Sequence, residues 1–223
     1  MHSPGRNILH RLIRSGSEHN TLLVTEQCDQ KCIMCSQPPK DTHVDLFDAF
    51  LEAVLLAPSD VTIGLSGGEP MLHKVKLFEL LANANLARPD LRFHVLTNGQ
   101  HFEPSDLRAL NKIDVNSVLW GIPVYAAEPD IHDRIVEKRG AHSQLHESLA
   151  LLGSTGADIE LRTVVMKSNV DGLSRLASHL ATHVPYAHYW AIMQMENIGY
   201  ARMNWDAEFF DNSTCFFTIG KAI

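Results

Sequence analysis

Three of the four cysteines fall within eight residues, spaced Cys28-x3-Cys32-x2-Cys35. A disulfide framework spreads its cysteines to close loops, whereas crowded thiols on one short segment read as metal ligands in a reducing compartment. The segment directly follows Thr21–Thr25 (TLLVT), an apolar run of β-forming residues. The spacing therefore predicts one loop above the C-terminal edge of a sheet, where parallel α/β folds bind ligands. Three thiolates there suit three irons of a 4Fe–4S cube, with the fourth iron open. A closed zinc tetrahedron is the rival arrangement, with His43 as fourth ligand eight residues after Cys35. Cys215 has no neighbouring cysteine and reads as a free thiol.

The rest of the chain alternates strand and helix. Strands are expected at Thr21–Thr25, Val61–Leu65, Leu91–Leu96, Ser117–Pro123, Ile159–Val165 and Ala187–Met195. Helices are expected over Asp45–Ala57, Lys74–Leu86, from Pro104, over Ser143–Leu152 and over Val170–His183. A long loop is expected between the fourth strand and Ser143. Strands separated by helices call for a parallel sheet with right-handed crossovers. The fold class is α/β, a partial (β/α)6 barrel. Residues 1–20 read as an N-terminal extension and 21–205 as the core. A covering helix is expected to begin over Ala201–Phe210, and residues 206–223 read as an irregular tail whose apolar end suggests a chain that stops early.

Acids outnumber bases, 26 to 19, so no general basic surface for nucleic acid is implied. No uncharged apolar run reaches the roughly 18–20 residues of a membrane span. Arg6, Arg11 and Arg14 precede any acid but lack a signal-peptide core, so a cytoplasmic location is expected. The 13 histidines are scattered in sequence and read mostly as solvated surface or loop residues.

Two more segments stand at strand ends: Gly67-Gly68-Glu69-Pro70 after the second and Thr97-Asn98-Gly99 after the third. With Cys28, Cys32 and Cys35, they resemble the motifs of the radical S-adenosylmethionine superfamily. The resemblance implies that the cysteines ligate a 4Fe–4S cluster whose open iron is chelated by S-adenosylmethionine. It implies reductive cleavage of that cofactor to a 5′-deoxyadenosyl radical, which abstracts hydrogen from a substrate. It also assigns the methionine amino group to Gly67, Gly68 and Glu69, with Pro70 beside them, and places Met34 near adenine. Asn98, Arg162 and Glu196, together with Tyr125 and Asn169, become candidates for further cofactor contacts. Taken alone, Arg162 equally suits an ion pair, Glu196 a loop cap and Tyr125 packing. Met193 and Met195, at alternate positions, read as packing on one side of the sixth strand.

A narrower similarity covers residues 22–28, 34–40, Gly121-Ile122-Pro123 with Tyr125, and His132-Asp133. These are similar to the His-Xaa-Ser-system radical maturases, which implies a ribosomally made peptide as substrate. An external electron donor such as a flavodoxin or ferredoxin is implied too. Those maturases continue into a cysteine-rich region; only Cys215 follows the core here, so an auxiliary cluster is not expected. The competing functions are a radical enzyme acting on a small molecule or nucleic-acid base, a non-catalytic zinc module and an inactive fragment.

Overall fold

The computed structural model describes residues 2–3, 8–9, 11–17, 20–214 and 220; Cys215 lies outside them. His2–Ser3 and Ile8–Leu9 form a small antiparallel pair. Six further strands form one sheet: β1 (Asn20–Thr25), β2 (Thr62–Gly67), β3 (Arg92–Leu96), β4 (Val118–Pro123), β5 (Asp158–Val165) and β6 (Tyr189–Gln194). They lie side by side in chain order, and every neighbouring pair is parallel. A sheet wound in this order without closing is the open, partial barrel that the alternating pattern predicts.

Side chains alternate across the pleat. Leu22, Ile63, Leu65, Phe93, Val95, Trp120, Ile122, Ile159 and Leu161 form the buried face. They pack under α1 (Phe47–Leu55), α2 (Lys74–Ala87), α3 (Leu107–Leu110), α5 (Ala141–Thr155) and α6 (Leu173–His183), which supply Phe50, Val54, Leu81, Leu110, Leu149 and Leu176. Trp120 meets Phe78 and Phe102 edge-on, with ring centroids 6.4 and 5.1 Å away. The opposite face carries His94, Gly121, Glu160 and Arg162. There His94 Nε2 and Arg162 Nη1 both reach Glu160 Oε2, at 2.9 and 2.7 Å.

Three expectations need correction. The long loop after β4 contains α4 (Pro129–Val136), where Pro129 opens a helix and Ile135 and Val136 are buried. The helix from Pro104 is a 3₁₀ turn, Pro104–Asp106, followed by the single-turn α3. The histidines are not all scattered. His132 of α4, His142 and His146 of α5, and His179 and His183 of α6 form one chain of ring contacts, with successive centroids 4.3–5.6 Å apart. Beyond β6 come two short helices, α7 (Gly199–Met203) and α8 (Trp205–Glu208). Among the described residues no helix is long and apolar enough to cross a membrane.

Candidate functional site

The loop between β1 and α1 presents the three cysteines. All are part-buried and none is in a disulfide. They line one cleft at the C-terminal ends of the strands, together with Gly67, Gly68, Thr97, Asn98, Tyr125 and Arg162. The loop is held from two sides. Lys31 N and Ile33 N donate to the carbonyls of Val136 and Ile135 at the end of α4, at 3.3 and 3.0 Å. Tyr200 N and Asn204 Nδ2, at α7, donate to the carbonyls of Cys35 and Ile33, both at 2.8 Å. Gly199 makes that second approach feasible. Its φ is +58°, and a Cβ there would lie 2.4 Å from the Cys35 carbonyl oxygen.

The Gly-Gly-Glu turn runs directly against the cysteine loop. Gly68 N donates to Thr25 O at 2.8 Å and Glu69 N to Gln27 O at 2.7 Å. A Cβ on Gly67 would lie 2.0 Å from Thr25 O, and one on Gly68 2.2 Å from Gln27 O. Only glycines fit, and their backbones line the cleft. Glu69 itself is fully buried and is not among the lining residues. Its Oε1 accepts from Thr97 Oγ1 at 2.6 Å and Met71 N at 2.7 Å, and its Oε2 accepts from Asn98 N. Burial pushes the Glu69 carboxyl pKa up, against the pull of those three donors. The carboxylate thus ties the turn after β2 to the turn after β3. Pro70 is buried and opens a 3₁₀ turn, Pro70–His73, behind them.

Asn98 lines the cleft, and its Nδ2 donates to Asp29 Oδ1 at 2.8 Å. Asp29, inside the cysteine motif, also pairs with Lys138 and, at 3.2 Å, with His101. Burial works to raise the Asp29 carboxyl, but His101 and Lys138 outweigh it and hold its pKa well below the usual carboxylate range. Asp29 was not singled out from sequence, and the helix expected near Ala201 was given no part in the site. Lys138 is 109 residues from Asp29, so no local spacing announces the pair.

The remaining candidates divide. Arg162 lines the cleft and donates to Met193 Sδ at 3.1 Å. Met34, Glu196, Met193 and Arg162 line a second cleft beside the first, where Glu196 is exposed and Met34 buried. Met193 therefore borders both clefts; Met195 lines the second and is buried with Met34 and Tyr125 in one apolar cluster. Tyr125 is buried and borders the cysteine cleft. Asn169 does not line it; its amide donates to Tyr125 O and Val164 O at 3.2 and 3.0 Å, and its Oδ1 accepts from Met166 N at 2.8 Å. It braces the turn after β5. His43 does not line the cleft either. Its Nδ1 is 3.1 Å from Thr25 Oγ1 and its ring stacks on His73 at 3.8 Å. That arrangement gives no support to a zinc set of three cysteines and His43.

Burial pushes the thiol of Cys28 up to about 12, and burial raises Cys32 and Cys35 as well. Such thiols make poor free nucleophiles, because reactive cysteines need electropositive surroundings. A bound cation reverses this and takes up the thiolates directly. Gln30 lines the same cleft, and its Nε2 is a buried donor that the protein leaves unpaired. Three thiols free of disulfides, of which Cys32 donates only to Gln30 Oε1 at 3.3 Å and Cys35 only to Gln37 O at 3.1 Å, fit an iron–sulfur cluster, and the close-packed glycine backbones and the unpaired Gln30 donor fit a polar nucleotide cofactor beside it.

The family model of the Radical SAM superfamily matches residues 22–178, well over half of the chain. The chain belongs to the radical SAM superfamily. Its fold is similar to that of Streptococcus suis SuiB bound to S-adenosylmethionine, with TM-score 0.68 and 15% identity over 84% of this chain and 43% of SuiB. SuiB bound to its precursor peptide SuiA matches at TM-score 0.65 and 14% identity, over 83% of this chain and 41% of that one. TYW1 with a lysine–pyruvate adduct matches at TM-score 0.63 and 14% identity, over 92% of this chain and 72% of TYW1. This chain thus spans less than half the length of SuiB. Among curated proteins none matches. Membership carries S-adenosylmethionine and an iron–sulfur cluster as the general cofactors of the superfamily, and radical chemistry as its enzymology.

Proposed function

We propose that this radical SAM protein binds a 4Fe–4S cluster through Cys28, Cys32 and Cys35 and modifies a peptide. When bound, cluster and S-adenosylmethionine supply reductive cleavage of the sulfonium and a hydrogen-abstracting radical. The protein's own part is placement. Asp29, Asn98 and Glu69 brace the cysteine loop against two neighbouring strand-end turns. The backbones of Gly67 and Gly68 offer the cofactor a surface without side chains, and Arg162, paired with Glu160, lines the same cleft. Met34 and Glu196 border the adjoining cleft, which leaves room for part of the cofactor or substrate.

The observation that carries this reading is the meeting of three thiols, the Gly-Gly-Glu turn and the Thr-Asn-Gly turn around one cleft. A peptide substrate is supported by the likeness to SuiB, whose structure holds its precursor peptide, and by the similarity to the His-Xaa-Ser maturases. Thiols free of disulfides suit a reducing compartment such as the cytoplasm, with a flavodoxin or ferredoxin as electron donor. Residues 21–205 form the catalytic core in this reading.

Anaerobic reconstitution with iron and sulfide, then dithionite and S-adenosylmethionine, tests the first part. Formation of 5′-deoxyadenosine is expected, and Ala at any of the three cysteines abolishes it. One tightly held zinc and no acid-labile sulfide would overturn the assignment. A mass change in a co-expressed peptide encoded beside this chain tests the second part. Turnover on a small molecule or a nucleic-acid base, with every such peptide unchanged, would replace it.

A further inference from the structure

We propose that His142, His146 and His179 form a second metal site, away from the cysteine cleft, which takes a divalent transition ion of the zinc class. One donor nitrogen from each ring lies within 4.8 Å of the others. Among the described residues this is the only trio of His, Cys, Asp or Glu close enough for one ion. His142 and His146 stand one turn apart on α5, so both project from one face. His179 approaches from α6, with its Nε2 3.1 Å from that of His146. Two nitrogens bound to a tetrahedral zinc at about 2.0–2.1 Å lie roughly 3.3 Å apart, so small ring rotations suffice.

Two further observations point to a ligand. His142 Nε2 is buried and has no partner in the protein. A buried imidazole nitrogen that the protein leaves unpartnered is available as a metal donor. The second observation is Glu128. Its Oε1 accepts from Arg175 Nε at 2.6 Å, while its Oε2 is buried and unpaired. Its negative charge acts on both His142 and His179. Asp133 is no competitor for the ion, because its oxygens accept the amides of Gly140 and His142 at 2.5 and 2.9 Å. Three imidazoles beside one carboxylate favour zinc, and equally admit cobalt as a reporter. The ion would pin α5 to α6.

The test uses the full chain with Cys28, Cys32 and Cys35 replaced by Ala, so that no thiolate competes. After chelator treatment it should retain one equivalent of Zn²⁺ through gel filtration. It should also give Co²⁺ visible bands without thiolate charge transfer. His146→Ala or His179→Ala should weaken Zn²⁺ binding at least tenfold, while His183→Ala should leave it unchanged. No retained zinc, or retention unaffected by His146→Ala and His179→Ala, overturns the proposal. Should those variants not fold, Zn²⁺ protection of histidines from diethylpyrocarbonate in the cysteine-free parent decides. Three residues shielded supports the site, and none shielded ends it.

Discussion

Asp29 occupies a position that the cysteine spacing leaves unspecified, yet it holds the site together. Its carboxylate receives Asn98 from the turn after β3, Lys138 from just beyond α4, and His101. Removing it leaves a part-buried ammonium and amide unpaired. An unsatisfied buried partner costs about 1–3 kcal/mol, more when charged. Asp29→Ala should therefore lower the thermal midpoint and the iron content after reconstitution, while Asp29→Asn, which keeps an acceptor for Asn98, should lose less of both. Equal iron content in wild type and Asp29→Ala would remove Asp29 from the site's supports. His94 offers a different test. Burial lowers its pKa, with Glu160 pulling the other way and Arg162 reinforcing the fall. As pH drops through about 6.5, the unfolded chain gains a proton that folded His94 resists. Stability from this residue is thus intact at neutral pH and is lost on acidification. His94→Gln should flatten the decline of stability below about pH 6.5, read by denaturant unfolding at stepped pH.

Among the elements, the strands and the three strand-end motifs were legible in sequence. Each strand is a short β-forming run, and Cys28, Gly67 and Thr97 follow or close such runs directly. α4 was not legible. It has only eight residues, starts at Pro129-Asp130, and resembles a loop until Ile33 N and Lys31 N are seen to bond its last carbonyls. The histidine cluster was hidden for a different reason, because its members come from three helices. The resemblance assigns Glu69 to the cofactor's amino group; what sequence did not announce is that its buried carboxylate accepts from three donors and joins two turns. α7 carries a prediction of its own. Asn204 Nδ2 reaches Ile33 O at 2.8 Å and Tyr200 O at 3.2 Å, fastening α7 to the cysteine loop. Asn204→Ala should cost about 1 kcal/mol or somewhat more. Hydrogen exchange should quicken at Cys35 and Tyr200 before it does in β3 or β4. Uniform quickening across the sheet would show that α7 is not a separate clamp.

On the scale of the whole molecule, the cleft draws on nearly every layer. Its walls come from the loop after β1, the ends of β2, β3 and β4, Arg162 of β5 and Met193 of β6. A ligand that touches all of these cannot stay bound when any one strand leaves the sheet. Its binding energy is therefore added to global unfolding instead of to one local opening. S-adenosylmethionine at a hundredfold excess over its dissociation constant should add about 2.7 kcal/mol. For a domain of this size that corresponds to a rise of roughly 5–10 °C in the unfolding midpoint. The rise should depend on the thiols: present in the anaerobically reconstituted chain and much smaller in Cys32→Ala. Calorimetry under anaerobic conditions measures both. If the midpoint moves equally in the two chains, the cofactor binds somewhere other than beside Cys28, Cys32 and Cys35. If hydrogen exchange instead slows only in the β1–α1 loop, the six strand ends do not act as one binding surface.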